Sequence, residues 1–248
     1  MPARIDIPTA LILGAGASIP FGFPSGHGLY ESICGPGTNR SLSIRQLEPL
    51  DFGGDFVNGF LHNLSLSGVD SIDEFLGKQP EYTAVGKAAI AQILLPCEKQ
   101  RHLFDPTADN WYKRFFVPLL DHPDGFRNLY VITFNYDRSL EHFLFTALRS
   151  STDLSEAQCA ERVQALTIVH VHGKLGRLPW EAEYGHVIPY EGKANPDTIR
   201  ACIGSIIVLH EGQKDSPELV EARRILDSVL RIYFLGFGYH EVNLERLG

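Results

Sequence analysis

Several signatures that would place this chain in a familiar class are missing from its 248 residues. Its four cysteines, Cys34, Cys97, Cys159 and Cys202, are widely scattered without a CxxC pair, which excludes a zinc ribbon and is typical of reduced thiols. No apolar run approaches the roughly 20 residues that span a bilayer, and the first residues lack the pattern of a signal peptide. We therefore expect a cytoplasmic protein without a membrane partner.

Positive charge is also scarce, since 22 Lys and Arg residues stand against 30 Asp and Glu residues and give a formal charge of −8. Broad binding to nucleic acid favours a basic surface, so we expect no direct nucleic-acid partner, although a local basic patch stays open. The ten histidines include no HExxH pair or other ligand spacing that indicates a metal. The sequence therefore predicts no metal cofactor.

What the chain does contain is a set of short apolar runs that end abruptly in glycines or polar residues. These runs begin at Thr9, Val131, Thr167 and Arg231. Buried parallel strands have this pattern, and in an open α/β sheet ligands bind beyond the carboxyl ends of the strands. A glycine loop, an asparagine and a histidine that follow three of these runs are therefore predicted to share one site.

Strand-like runs that alternate with helical patterns predict a Rossmann-like, doubly wound parallel sheet in a single α/β domain covering residues 1–248. A helical block at about 55–121 separates the first two strands and predicts an inserted lobe. Within it, Ser71 and Glu74 have the spacing of a capping box. Towards the carboxyl end we expect a further short strand at 205–210 and an amphipathic helix at 217–229.

The segment Gly14-Ala15-Gly16-Ala17-Ser18 directly follows the first strand. Glycines there let backbone amides approach a pyrophosphate closely. The fingerprint is incomplete, because Ile19 holds the third glycine position and the GK[ST] ending of a P-loop is missing. Two interpretations stay open: a phosphate loop, or a tight strand-to-helix turn without a ligand. Ser18 is open in the same way, as a phosphate contact or as a helix cap.

Four segments together resemble the sirtuin-like superfamily, in particular its bacterial NAD-consuming branch linked to phage defence. The matching segments are Gly14–Ser18, Thr133-Phe134-Asn135-Tyr136-Asp137, Val171-His172-Gly173 and Leu235-Gly236-Phe237-Gly238. Their order and separations match as well, so the resemblance covers most of the chain. Each segment alone is weak evidence for the family, whereas the ordered set of four is fairly specific.

The resemblance implies an NAD site between the sheet and a smaller lobe. It implies that Asn135 lies near the nicotinamide ribose and the attacking water, and that His172 acts as the general base. The cofactor-binding residues that it implies, with Asp137 as an orienting group, are Gly14, Ala15, Gly16, Ser18, Asp137, Gly236, Phe237, Gly238 and Asn243.

The chain also departs from the family pattern. Protein deacylases of the family carry a four-cysteine zinc module soon after the histidine and a Pro-Asp-Phe-Arg sequence after the first motif. Here the module is missing and the corresponding loop reads Phe23-Pro24-Ser25-Gly26. These departures argue against a prediction of deacylation and do not affect the prediction of NAD cleavage.

The sequence therefore predicts an NAD glycohydrolase that releases nicotinamide and ADP-ribose, acting as an antiphage effector that depletes NAD. Members of this kind often act through a fused sensor domain or a separate partner, so we expect regulation by homo-oligomerisation or by a partner protein. The alternatives are a sensor of a nucleotide or ADP-ribose without catalysis, and an NAD-dependent deacylase or ADP-ribosyltransferase. Simpler interpretations also stay open for two residues: Asn135 as a helix cap and His172 as a buried structural histidine.

Overall fold

The computed structural model describes residues 4–34, 47, 50–69, 71–122, 124–181, 187–208, 216–239 and 241–247. Four strands form one parallel sheet in the order β3-β2-β1-β4. They are β1 (Thr9–Leu13), β2 (Leu129–Thr133), β3 (Thr167–His170) and β4 (Arg231–Leu235). This order, with the first strand in the middle and the later strands added outwards on either side, is that of a Rossmann-like α/β fold.

Helices surround the sheet. Before β2 they are α1 (Gly26–Cys34), α2 (Gly54–Leu66), α3 (Ile72–Lys78), α4 (Thr83–Leu94), α5 (Gln100–Leu103) and α6 (Trp111–Leu120). After β2 they are α7 (Ser139–Ser151), α8 (Glu156–Gln164), α9 (Pro196–Ser205), α10 (Pro217–Ser228) and α11 (Glu241–Leu247). The segment from α2 to α6 corresponds in the chain to the predicted helical insertion.

The central strand β1 is buried on both faces, and its successive side chains, which point to opposite sides of the sheet, enter two different cores. On β1, Leu11 and Leu13 belong to the larger apolar core, which contains the helices that precede β2. Ala10 and Ile12 belong to a second core, where α10 contributes Leu219, Ala222 and Ile225. The prediction of a doubly wound sheet is therefore confirmed.

Most predicted elements lie where the patterns place them, with two exceptions. The strand predicted at 205–210 is wrong in its described part, because Ser205 ends α9 and Ile206 forms only an isolated antiparallel bridge with Gly173. Ser205, the first residue of the predicted strand, instead belongs to α9, which has Asn195 as its N-cap and begins at Pro196. Residues 209–210 lie outside the described residues, as do most of residues 36–54, which lack a clear periodicity and are predicted to form a loop or the start of the inserted lobe.

The capping box predicted at Ser71 is the second exception. Ser71 is the N-cap of α3, but its hydroxyl accepts from the amide of Asp73 rather than from that of Glu74. Glu74 instead forms an ion pair with Lys78 one turn later, at 2.7 Å. The helix start is confirmed, and the reciprocal bond is not formed.

The helical spacing of α6 predicts that Trp111, Phe115, Leu119 and Leu120 face the core. Leu119 and Leu120 are buried in it, and Trp111 and Phe115 are partly buried and pack against it. The indole Nε1 of Trp111 donates to the carbonyl oxygen of Ala17 at 2.8 Å. Trp111 therefore connects the helical insertion to the glycine loop.

Candidate functional site

The loops that follow β1 and β4 interlock through their backbones. The Gly14 amide donates to the carbonyl oxygen of Leu235 at 3.0 Å, and the Gly16 amide donates to that of Gly236 at 2.9 Å. Gly236 has a φ of +58°, and a Cβ built on it would lie 2.0 Å from the nitrogen of Ala17. The glycines at this point are required by the contact between the two loops, whether or not a ligand is bound.

This interlock restricts the role predicted for the Gly14–Ser18 loop. The amides of Gly14 and Gly16 donate to the β4 loop, that of Ala17 donates to the carbonyl oxygen of Gly14, and that of Ser18 donates to the carbonyl oxygen of Ala15. Backbone donors that already have partners cannot cradle a phosphate without losing those bonds. Among the described residues the loop therefore offers chiefly the Ala15 amide to an anion.

The first turn of α1 lies against the same space and supplies further amides. Ser25, Gly26 and His27 line the cleft beside the glycine loop. The Ser25 hydroxyl accepts from the amide of Gly28 at 2.9 Å and so caps the helix. The amino end of a helix carries partial positive charge and unsatisfied N–H groups, so this turn is better placed than the glycine loop to face an anion.

Asn135 follows β2 and is held by the glycine loop. Its side-chain amide Nδ2 donates to the carbonyl oxygen of Gly14 and to the hydroxyl of Ser18, both at 3.0 Å. These acceptors fix the orientation of the amide and use both of its hydrogens. Asn135 is therefore not a helix cap, and the atom it can offer to a ligand is Oδ1, an acceptor.

Behind Asn135 lies a buried carboxylate, Asp137. Its Oδ2 accepts from the hydroxyl of Ser18 at 2.8 Å, and its Oδ1 accepts from the amide of Ser139 at 3.1 Å and from the Ser139 hydroxyl. Burial raises the pKa of this carboxyl group, and the hydroxyls of Ser139 and Ser18 oppose that rise. Asp137 thus orders the turn and fixes Ser18, which in turn accepts from Asn135.

His172 follows β3 and has few polar neighbours. Its ring is almost fully buried, and its Nδ1 has no hydrogen-bond partner within the described part of the chain. Burial lowers the pKa of the imidazole from its usual 6.5, an effect that the charge of Asp73 opposes. Since the ring is neutral at pH 7, it has a lone pair with which to accept a proton.

A row of aromatic rings connects His172 to the β4 loop. The ring of Phe134 lies 5.7 Å from that of His172 and 5.2 Å from that of Phe237, and both contacts are edge-to-face. All three residues line the cleft. The row supplies an apolar wall against which a flat ring could pack.

One cleft of about 360 Å³ contains most of the predicted site residues. Its volume is within the roughly 300–1,000 Å³ that is usual for small-molecule sites. The predicted residues that line it are Gly14, Ala15, Gly16, Asn135, His172, Gly236, Phe237, Gly238 and Asn243. Ser18 and Asp137 do not reach this space; they line a neighbouring cavity of about 70 Å³, together with Asn135.

Sequence reasoning missed Asp73, which lines both the cleft and the smaller cavity. Asp73 lies in the first turn of α3, and the hydroxyl of Tyr136 donates to its Oδ1. The local pattern at Ser71 marks a helix start, but nothing near it in the sequence indicates that this turn reaches the end of β3. The first turn of α1 was missed for the same reason.

His170, two residues before His172, has a different environment. Its Nδ1 contacts the carbonyl oxygen of Asn135 at 3.0 Å and its Nε2 contacts Glu141 at 2.9 Å. Burial would raise the pKa of Glu141, but Lys174 and His170 together hold it below its usual value. This pattern is that of a structural histidine that supports the backbone of Asn135.

Comparisons of the chain with family models, with curated proteins and with solved structures found no match. Among the described residues, no group of three or more His, Cys, Asp or Glu side chains is arranged to hold a metal ion. In that same part of the chain, no helix has the length and apolar character needed to cross a bilayer.

Proposed function

We propose that this protein is an NAD glycohydrolase that cleaves the bond between nicotinamide and the ribose C1′. The observation that carries the proposal is the convergence of Asn135 and His172 in one cleft at the carboxyl ends of β2 and β3, beside the glycine loop and the first turn of α1. In an open parallel sheet this is the place where ligands bind. The order of the segments that form it is the order on which the family resemblance rests.

The reaction that we propose is a hydrolysis. The C1′–N bond breaks and its electron pair leaves with nicotinamide, while a water oxygen bonds to C1′ and gives its proton to His172. Neutral imidazole is the form that acts as the base, and burial keeps His172 in that form at neutral pH. The Oδ1 of Asn135 accepts a hydrogen bond from the water or from a ribose hydroxyl, and its partial negative charge favours the positive charge that develops on the sugar.

The structure changes how we assign the binding roles. The pyrophosphate is proposed to lie at the first turn of α1 and at the Ala15 amide, because the other amides of the Gly14–Ser18 loop have backbone partners. Phe237, Gly238 and Asn243 are proposed for the adenosine half. The biological role proposed with this activity, NAD depletion in antiphage defence under the control of self-association or a partner, rests on the resemblance alone.

The experiment that tests the proposal is nicotinamide release from NAD by the purified protein and by four variants. We expect turnover in the wild type and its loss in Asn135→Ala and His172→Ala. Asn58→Ala and His62→Ala are matched controls, because both residues are exposed on α2 and outside the cleft. These two variants should keep wild-type turnover.

Each other outcome would replace the proposal with a defined alternative. Saturable NAD or ADP-ribose binding without turnover, also in the presence of candidate partners, would indicate a sensor. Release of nicotinamide only when an acceptor protein is present would indicate a deacylase or an ADP-ribosyltransferase. Full turnover in the Asn135→Ala, His172→Ala double variant would refute the assigned roles.

A further inference from the structure

An acidic side chain from the helical insertion lies against the ring of His172. The Oδ1 of Asp73 is 3.9 Å from the Nδ1 of His172. That Nδ1 is the buried nitrogen without a hydrogen-bond partner. A buried polar atom without a partner is unusual in a folded protein and calls for an explanation, and this carboxylate lies within 4 Å of the nitrogen.

Two contacts hold Asp73 at this position. Its backbone amide donates to the hydroxyl of Ser71 at 3.2 Å, which ties it to the start of α3. Its Oδ1 accepts from the hydroxyl of Tyr136, a residue of the β2–α7 loop. Burial and the nearby Asp73 raise the pKa of Tyr136 well above its usual value, so the phenol remains a donor at neutral pH.

We propose that Asp73 is the positioning residue of His172, with its carboxylate accepting the Nδ1 hydrogen and so leaving Nε2 as the nitrogen that takes up the proton. This inference rests on the proposed role of His172 as the base. The separation of 3.9 Å exceeds a hydrogen bond by about 1 Å. Hydrogen bonds of catalytic groups are often long in the free protein and shorten when substrate binds.

The inference gives the helical insertion a role in the chemistry. Asn135 and His172 both follow strands, whereas Asp73 lies in the first turn of α3, a seven-residue helix of the insertion, and lines the same cleft. A small displacement of α3 towards the sheet would complete the pair, and a displacement away would break it. The position of α3 would therefore set the basicity and orientation of the base.

Three groups from the surrounding elements act on the His172 ring. They are the carboxylate of Asp73 on α3, the guanidinium of Arg246 on α11 and the backbone of Ile207, which raises the pKa of His172 through a hydrogen bond. The hydroxyl of Tyr136 in the β2–α7 loop acts through Asp73, to whose carboxylate it donates. Burial lowers the pKa of His172, Asp73 raises it, and Arg246 lowers it. Removal of the Asp73 charge should lower this pKa further, whereas removal of the Tyr136 hydroxyl should raise it by freeing the carboxylate.

The test is a ¹⁵N NMR titration of the His172 ring in the intact protein, in the wild type and in Asp73→Asn, Tyr136→Phe and Glu74→Gln. The signal of His172 is identified by its loss in His172→Gln. We expect the Nδ1–H tautomer in the wild type, a lower pKa in Asp73→Asn and a higher pKa in Tyr136→Phe. Glu74→Gln is the matched control, since Glu74 is the adjacent carboxylate and pairs with Lys78; it should leave the titration unchanged.

The NMR result does not depend on NAD cleavage, so the two proposals can fail separately. If the wild type does not cleave NAD but His172 responds to Asp73→Asn, the pairing stands and the function fails. If His172 shows the same tautomer and titration in the wild type and Asp73→Asn, the pairing is overturned whatever the activity.

Where the wild type is active, kinetics gives a second measurement. In Asp73→Asn we expect kcat to fall roughly tenfold or more, a part of what general-base catalysis contributes, with KM little changed. The acid limb of the pH profile should move to lower pH, because the base has a lower pKa. A rise in KM with unchanged kcat and an unmoved profile would instead make Asp73 a substrate contact and would overturn the positioning role.

Discussion

Asn135 and His172 lie at the ends of neighbouring strands, yet their surroundings differ in kind. Both hydrogens of the Asn135 amide have acceptors, and the chain of contacts behind it continues through Ser18 to Asp137 and Ser139. The Nδ1 of His172 has no hydrogen-bond partner among the described residues and a carboxylate just out of reach.

The difference shows how one cleft can contain both a side chain fixed by hydrogen bonds, Asn135, and one whose hydrogen bonding can still change, His172. A fully satisfied buried network fixes a side chain in one orientation. An unsatisfied buried nitrogen costs free energy in the resting protein, and a ligand or a moving element can recover that cost. We infer that the side of the cleft at Asn135 sets geometry and that the side at His172 responds.

The largest effect is expected from a substitution in the contact between the loops that follow β1 and β4, which supports Asn135. Gly236→Ala would place a Cβ 2.0 Å from the nitrogen of Ala17 at a residue with a φ of +58°. Backbone strain and overpacking together should lower the free energy of unfolding by about 3 kcal/mol or more. Chemical denaturation measures this loss, which should be accompanied by loss of ligand binding.

A matched control for that variant exists on α9. A Cβ on Gly204 would meet nothing within 4 Å, and alanine is favoured over glycine in a helix by roughly 0.5–1 kcal/mol. Gly204→Ala should therefore leave stability unchanged or slightly higher. If both variants lose the same free energy of unfolding, the close contact between the two loops is not what makes Gly236 necessary for stability.

The next effect removes the carboxylate behind Asn135. Asp137→Ala leaves the hydroxyl of Ser18 and the amide of Ser139 without their acceptor, and buried donors without acceptors cost roughly 1–3 kcal/mol each. We expect a loss of about 2–3 kcal/mol in the free energy of unfolding by denaturant titration. Binding of NAD should weaken as well, because Ser18 no longer fixes Asn135. Unchanged affinity would contradict the view that this side sets geometry.

The smallest expected effect is that of His172 on the free energy of unfolding, and it depends on pH. Burial lowers the pKa of His172 below its usual 6.5 in the folded protein, so below pH 6.5 the unfolded chain binds more protons than the folded one. Stability is then lost as the pH falls, by up to roughly 1.4 kcal/mol for each unit that separates the two pKa values. His172→Gln should remove this loss.

The measurement is the free energy of unfolding at pH 7.5 and pH 5 for both proteins. The wild type should lose more stability than His172→Gln over this interval, while the two should differ little in their other titrating groups. A larger loss in the variant would mean that His172 is stabilised in its charged form, contrary to its buried position.

Much of this architecture could be predicted from local patterns. The strand at Arg231–Leu235 and the helix that starts at Pro217 lie where the sequence places them, because apolar runs and a proline in a first turn act over a few residues. The run at 205–210 was misleading for the same reason: its β-branched residues have strand propensity, yet their amides and carbonyls meet residues 172–174 beyond the end of β3.

The contents of the site could be predicted only in part. Asn135, His172 and the glycines line one cleft, as the sequence predicts, because each follows a strand and parallel strands present their carboxyl ends at one edge of the sheet. Ser18 and Asp137 were predicted as cofactor-binding residues, but the fold places them behind Asn135, where they bind each other. No sequence pattern indicates that Asp73 belongs to the site, because its neighbours in space, Tyr136 and His172, are far from it in sequence.

By itself, the sequence determined where strands begin and end, which polar residues follow them, and hence that these residues gather at one edge of the sheet. These properties depend on side-chain periodicity and on short-range turn preferences. Only the tertiary structure decided which donors and acceptors remain for a ligand: the amides of the glycine loop other than that of Ala15 have backbone partners, the Asn135 oxygen is left, and the Asp73 carboxylate lies 3.9 Å from the His172 ring. Hydrogen bonding and burial are settled between elements far apart in the chain, and no local pattern records them.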